Sequence, residues 1–131
     1  MIKFKHEKDK MLFSSLHPIL IMIYADLNWY AKFRCNIDLV VTATVSTLEE
    51  DKKLGRKSSS HREFRALDAR TNGIDPFIVA ELVEYINNKK EYLRYHYLSS
   101  GGRKRLAYWH NNGNGDHLHL AIHSQFGLRS E

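Results

Sequence analysis

Residues 117–123 read His-Leu-His-Leu-Ala-Ile-His and alternate between two kinds of side chain. Successive side chains of an extended strand point to opposite faces. One face therefore carries the histidines and the other the large apolar residues: His117, His119 and His123 against Leu118, Leu120 and Ile122. The apolar face has to be covered by the rest of the chain. The pattern predicts a sheet with one buried face, and its other face is either a solvated surface or a metal-binding surface.

A second polar stretch, residues 58–71, places a histidine and an aspartate seven positions apart. His61 follows three turn-forming serines, and Asp68 lies in the alternating run 64–70. We therefore expect a loop carrying His61 to lead into a strand carrying Asp68. A loop that curls back brings both side chains to one metal ion. Two neutral imidazoles, a carboxylate and an open position form the ligand set of hydrolytic zinc sites.

Asp116 is a candidate general base for such a site, because it is the nearest carboxylate in sequence to His119. Strand alternation alone points these two side chains to opposite faces. The role of Asp116 therefore requires a turn at 115–116, which the Asn/Gly-rich loop 111–115 would permit.

Apolar periodicity predicts helices over 16–34 and from Pro76 to about Tyr92. Short β-branched or alternating runs predict four strands, at 37–45, 64–70, 104–109 and 117–123. Residues 1–13 are an N-terminal arm, either loose or a short edge strand. The prediction is one α+β domain over 1–131, in which an antiparallel sheet has its helices packed on one face.

Several individual side chains are also assigned from the pattern. Ser14 or Ser15 is expected to cap the first long helix, on which Trp29 and Phe33 widen the buried face. Phe77 is expected in the buried face of the second long helix. Trp109, next to the 111–115 loop, is the best candidate among the aromatic residues for a substrate groove.

The net charge of +5, together with eight histidines, favours a polyanionic partner such as nucleic acid, a membrane surface or a cell-wall polymer. The single cysteine, Cys35, cannot form an internal disulfide. The apolar run at 18–24 is too short to span a membrane. The charged first ten residues lack the apolar core of a signal peptide, so the chain is expected to be cytoplasmic at synthesis.

These residues resemble the motifs of a known family, the zinc D-Ala-D-Ala carboxypeptidases together with the phage L-alanyl-D-glutamate endopeptidases. The first family motif is S-x-H-x-x-G-x-A-x-D, and it is matched by Ser59, His61, Ala66 and Asp68. The second is an acidic residue three positions before a histidine, matched by Asp116 and His119. The resemblance loosely covers residues 14–123 and implies the fold that this family shares with the hedgehog signalling domain.

The resemblance implies that His61, Asp68 and His119 bind zinc, that Asp116 is the catalytic base, and that His117 lies near the reacting water. It implies a zinc metallopeptidase that cleaves the peptide stems or cross-links of bacterial peptidoglycan, as an endopeptidase or a D,D-carboxypeptidase. Such a chain resembles a monomeric phage endolysin, which is released to the cell wall by a holin or carried in a virion.

The sequence departs from the family at two points. Phe64 stands where the family has the motif glycine. The family also carries an arginine just after the strand that corresponds to Val40–Val41 here, and this chain has residues 43–46, Ala-Thr-Val-Ser, instead. Arg56, Lys57 and Arg65 are the candidates to replace that arginine.

Two other functions fit parts of the pattern. A non-catalytic binding module of the same fold would keep the zinc without hydrolysis. A metal-dependent single-strand DNA nuclease would use the His-hydrophobic-His pair at 117–119 with a tyrosine nucleophile on a following helix. No tyrosine follows His119, and that reading leaves His61 and Asp68 unexplained, so nucleic acid is the less favoured partner.

Overall fold

The computed structural model describes residues 1–111 and 115–126, so the middle of the predicted loop at 111–115 lies outside the described residues. The helices in this part of the chain are α1 (Glu7–Leu12), α2 (Pro18–Cys35), α3 (Leu48–Lys53) and α4 (Pro76–Asn87). Its strands are β1 (Lys3–Phe4), β2 (Val40–Ala43), β3 (Ala66–Arg70), β4 (Tyr97–Leu98), β5 (Lys104–Arg105), β6 (Ala107–His110) and β7 (His117–Ala121). Short 3₁₀ turns lie at Phe13–Ser15, Lys90–Tyr95 and Ser124–Phe126.

Within the described residues, five strands form one sheet in the order β1-β2-β3-β7-β6. The pairs β2–β3, β3–β7 and β7–β6 are antiparallel, as the sequence predicts, whereas β1 pairs with β2 in parallel. The N-terminal residues therefore supply an edge strand, and Phe4 packs edge-on against Phe13 at 5.3 Å between ring centres. The α+β architecture around one sheet is confirmed.

Helices α2 and α4 pack on one face of this sheet. Their buried rows join the apolar side of the strands in a single core, which includes Leu20, Ile23, Leu27, Val79, Leu82, Ile86, Leu67, Leu118 and Leu120. Asn87, at the end of α4, accepts from the backbone N–H groups of Leu106 and Ala107 and so attaches the helix to β6. The predicted cover over the leucine face of the last strand is thus present.

Several predicted boundaries are wrong. Helix α2 starts at Pro18 instead of residue 16, because its cap is His17, whose Nδ1 accepts from the N–H of Ile19, and not a serine. Helix α4 has the predicted Asp75 cap but ends at Asn87, before the 3₁₀ turn that contains Tyr92. Asparagine is a weak helix former, and the side chain of Asn87 is committed to the sheet. Three strands are also shorter than predicted, at 40–43, 66–70 and 117–121.

Three aromatic side chains predicted to be buried are exposed. Trp29 is 52% exposed, Phe33 64% and Phe77 86%. Trp29 and Phe33 lie four positions apart on α2, away from its buried row, and their rings contact each other at 5.7 Å. The prediction that these two residues widen the buried face of α2 is therefore wrong.

The predicted strand 104–109 is two strands. Residues 104–105 form β5, which pairs with β4 in a separate hairpin closed by a turn at 99–102. Residues 107–110 form β6 and pair with β7. Leu106 lies between them, fully buried, and its backbone bonds Asn87 and Ala121 instead of continuing one ladder. No helix in the described ranges combines the length and apolar character needed to cross a membrane.

Candidate metal centre

The sheet face opposite the core carries the polar candidates. In the antiparallel ladder, Asp68 of β3 lies directly opposite His119 of β7, and His119 lies opposite Tyr108 of β6. Directly opposed residues project on the same side of a sheet. Their sequence neighbours, Leu67 and Leu118, point into the core. The alternation inferred for the last strand therefore holds, and it places Asp68 and His119 side by side.

The loop between α3 and β3 brings His61 to the same place. His61 is only 2% exposed, and its Nδ1 lies 2.7 Å from the backbone carbonyl oxygen of Thr44. A carbonyl oxygen only accepts hydrogen bonds, so Nδ1 carries the proton and Nε2 is left with a lone pair. That Nε2 lies 3.3 Å from Oδ1 of Asp68.

The third member is His119, whose Nδ1 lies 3.0 Å from the same oxygen of Asp68. Ligand atoms of His61, Asp68 and His119 all lie within 4.8 Å of one another. Ligands about 2.1 Å from one tetrahedral zinc ion would be separated by roughly 3.4 Å. The two measured separations are close to that value, and two imidazoles with one carboxylate suit zinc. The residues therefore fit the metal that the motif implies.

The protonation states of this group also suit a metal. Burial raises the pKa of Asp68, but its contacts with His61 and His119 outweigh burial and hold that pKa well below its usual value. Burial lowers the pKa of His119 more than its bond to Asp68 raises it. An ionised carboxylate and a neutral imidazole at neutral pH are the forms that bind metal.

Of the three candidates to replace the family arginine, only Arg56 contacts the site. Its guanidinium bridges Oδ1 of the buried Asp51, at 3.3 Å, and Oδ2 of Asp68, at 3.4 Å. Arg65 points elsewhere, to Glu63 and to the carbonyl of Ile122. Lys57 is exposed on the surface. Arg56 thus occupies one oxygen of Asp68 and leaves Oδ1 to the two imidazoles.

His117 lies at the margin of the group, with its Nε2 3.9 Å from Oδ2 of Asp68 and its Nδ1 2.7 Å from the carbonyl of Gly115. Gly115 has a φ of 71°, so the chain does turn where the predicted role of Asp116 needs it. The carbonyl of Asp116 accepts from Thr71, and its carboxylate is not among the three clustered ligands. Its role as base stays a prediction.

His123 does not continue the histidine face, because β7 ends at Ala121. The ring Nδ1 of His123 instead accepts from the backbone N–H of Gln125. The backbone N–H of His123 donates to the carbonyl of Tyr95.

The turn residues 99–102, Ser-Ser-Gly-Gly, predict the β4–β5 hairpin, but nothing in the sequence indicates that it borders the site. The ring of Tyr97 meets the ring of His119 edge-on at 6.4 Å. Arg105 donates from Nε to the hydroxyl of Tyr97, and its guanidinium lies 4.2 Å from the ring centre of Tyr108. Alternation along β6 could have identified Tyr108. The same alternation places Trp109 opposite Leu118 on the core side, so the expectation that Trp109 lines a groove is wrong.

Phe64, which stands at the glycine position of the motif, has an unusual backbone conformation. It has a φ of 61°, in the left-handed region, and its carbonyl accepts from the N–H of His17 at the start of α2. A residue with a Cβ is strained there, whereas glycine is not. Position 64 therefore has a backbone conformation that glycine adopts without strain and that this chain holds with a phenylalanine.

A pair of substitutions isolates that strain. Phe64→Ala and Phe64→Gly both remove the ring, but only the alanine keeps a Cβ at positive φ. We expect the glycine variant to be the more stable by about 0.5–1 kcal/mol, since left-handed strain of about 1–2 kcal/mol is partly offset by the greater freedom of unfolded glycine. Urea unfolding of the two variants measures the difference. An alanine variant as stable as the glycine variant would limit the strain at residue 64 to the glycine entropy term, about 0.5–1 kcal/mol.

Comparison with known protein families, with curated proteins and with solved structures finds no match to this chain. The likeness to the zinc D-Ala-D-Ala carboxypeptidases consequently rests on the two motifs in the sequence.

Proposed function

We propose that this protein is a zinc-dependent peptidase that acts on the peptides of bacterial peptidoglycan. The observation that carries the proposal is the convergence of His61, Asp68 and His119 on one face of the sheet, with ligand atoms within 4.8 Å of one another. These three residues come from two stretches far apart in sequence, and both stretches match motifs of a zinc peptidase family. His61 itself is buried, at 2% exposed, which a chance cluster of surface side chains would not require.

The residues around the cluster have complementary roles in this proposal. A zinc ion held by the three residues supplies Lewis acidity, which activates water near neutral pH. Asp116, or His117 in its place, takes the proton from the attacking water. Arg56 holds Asp68 by its second oxygen. The side chains of His117 and His119 are 28% and 21% exposed, so the substrate reaches the cluster from their side.

The charges beside the site favour a substrate that carries carboxylates. Arg105 is fixed by Tyr97 and Tyr108, and within residues 1–111 and 115–126 its guanidinium makes no ion pair with a carboxylate. Arg70 lies two positions after Asp68 on β3, therefore on the same face of the sheet, and it is exposed. Peptidoglycan stem peptides carry free carboxylates, which a preorganised guanidinium binds well.

The test is mass analysis of muropeptides after incubation with the zinc-loaded protein, with chelator-treated protein and His119→Ala as controls. New fragments that depend on both zinc and His119 would support the proposal and identify the bond that is cut. Stoichiometric zinc without hydrolysis would select the non-catalytic binding module. Cleavage of single-stranded DNA by the same preparation would select the nuclease.

A further inference from the structure

A buried carboxylate lies outside the metal cluster, on the short helix α1. Asp9 is 5% exposed, and its Oδ1 accepts two hydrogen bonds from one residue, the backbone N–H of Thr44 at 2.9 Å and the Thr44 hydroxyl at 2.7 Å. No lysine, arginine or histidine of the described residues forms an ion pair with Asp9. Burying a carboxylate without partners is costly. The two hydrogen bonds from Thr44 provide such partners, so Thr44 is the residue that Asp9 holds in place.

Thr44 in turn holds a residue of the metal cluster. It directly follows β2, at a point where the pairing of β2 with β3 shifts register between Val41 and Ala43. Irregularities of this kind redirect the chain and are common beside active sites. The carbonyl of Thr44 accepts from Nδ1 of His61, which leaves Nε2 facing Asp68. Asp9, Thr44 and His61 therefore form one continuous chain of contacts that ends at the cluster.

We infer that Asp9 is a positioning residue of the metal centre, and that the N-terminal segment is part of its support. Asp9 fixes Thr44, and the Thr44 carbonyl fixes both the ring orientation and the tautomer of His61. Outer groups that orient a metal-bound imidazole in this way raise its affinity for the ion. The segment is itself anchored, because β1 pairs with β2 and Lys5 donates to the carbonyl of Val41. The inference rests on the proposed function for its metal, but the contacts themselves do not.

Zinc affinity is the first test, measured by competition with a chromophoric chelator. Asp9→Ala is expected to weaken zinc binding by about 10- to 100-fold, the usual effect of losing an outer partner. Thr44→Val, which removes only the hydroxyl, should weaken it less. Asp9→Asn keeps an oxygen acceptor and should stay close to wild type. Asp26→Ala is the matched control, because Asp26 accepts from Lys89, Tyr85 and Tyr92 and has no contact with the cluster.

The second test needs no metal. In the zinc-free protein, ¹⁵N NMR of the imidazoles reports which nitrogen of His61 is protonated. Wild type and Asp9→Asn are expected to show the Nδ1-protonated tautomer, and Asp9→Ala and Thr44→Val a mixture of the two. Wild-type zinc affinity and an unchanged His61 tautomer in Asp9→Ala would overturn the inference. If Asp9→Ala fails to fold, unchanged values in Thr44→Val would overturn it. A wild-type protein that binds no zinc would refute the proposed function, and the tautomer measurement would still decide the role of Asp9.

Discussion

His61→Ala and His119→Ala are each expected to abolish stoichiometric zinc binding. Each removes one of three ligands, and the expected loss of affinity exceeds about 100-fold, because losing even an outer partner costs about 10- to 100-fold. Zinc at 100 times its dissociation constant stabilises the wild type by about 2.7 kcal/mol, or roughly 10 °C in Tm for a domain of this size. Both variants should lose this stabilisation. Elemental analysis and melting curves with and without chelator measure the two effects.

His123→Ala is the control for this experiment. His123 lies two residues beyond β7, where it bonds Gln125 and Tyr95 instead of the cluster. The His123→Ala protein should therefore retain one zinc per chain and the full increase in Tm that zinc gives the wild type. A His61→Ala protein that remains fully loaded would remove His61 from the site and, with it, the match to the first motif.

Asp116→Asn is expected to lower hydrolysis by about 10²- to 10⁴-fold, the usual span for a lost general base. The asparagine keeps the shape and hydrogen bonding of the side chain but cannot accept the proton. Zinc content should remain close to wild type, because the carboxylate of Asp116 is not among the clustered ligands. Rates on a defined muropeptide and elemental analysis of the same samples measure both quantities.

The pairing of these two measurements separates the possible roles. Loss of activity together with loss of zinc would make Asp116 a ligand or a structural residue. Full activity in Asp116→Asn would move the base role to His117, whose Nε2 lies 3.9 Å from Oδ2 of Asp68. His117→Ala would then be the variant expected to lose activity while it keeps its zinc.

Alternation along the chain was enough to predict which residues share a face. The leucines of β7 do lie in the core, and His119 lies opposite Asp68 on the other side. This inference succeeds because the two-residue period of a strand is set by local backbone geometry and does not depend on the partner. The caps of α3 and α4 were predictable for the same reason, whereas the serine cap predicted for α2 is wrong. Thr47 and Glu50 form the reciprocal bonds that start α3, and Asp75 starts α4.

Contacts made through space were not predictable in this way. Three such contacts join residues 17 or more positions apart, and no periodicity indicates them. They are the hydrogen bond between His61 and Thr44, the hydrogen bonds from Thr44 to Asp9, and the ring contact of Tyr97 with His119. The position of Arg56 depends on Asp51, which the sequence marks only as part of a charged helix. The exposure of Trp29, Phe33 and Phe77 likewise depended on which faces of the two long helices pack into the core.

The three residues expected to bind a metal were implied by the resemblance to the zinc peptidase motifs. The sequence by itself determined the faces of the strands and the caps of α3 and α4, because both follow from spacing within a short segment, where local geometry decides which side chains align. The tertiary structure alone decided that loop 54–65 folds back over the sheet, so that Nε2 of His61 faces Oδ1 of Asp68. It also decided which oxygen of Asp68 faces Arg56 and which faces the two imidazoles, and what holds His61, because a hydrogen bond is directional and its partner is chosen by the packing of distant segments.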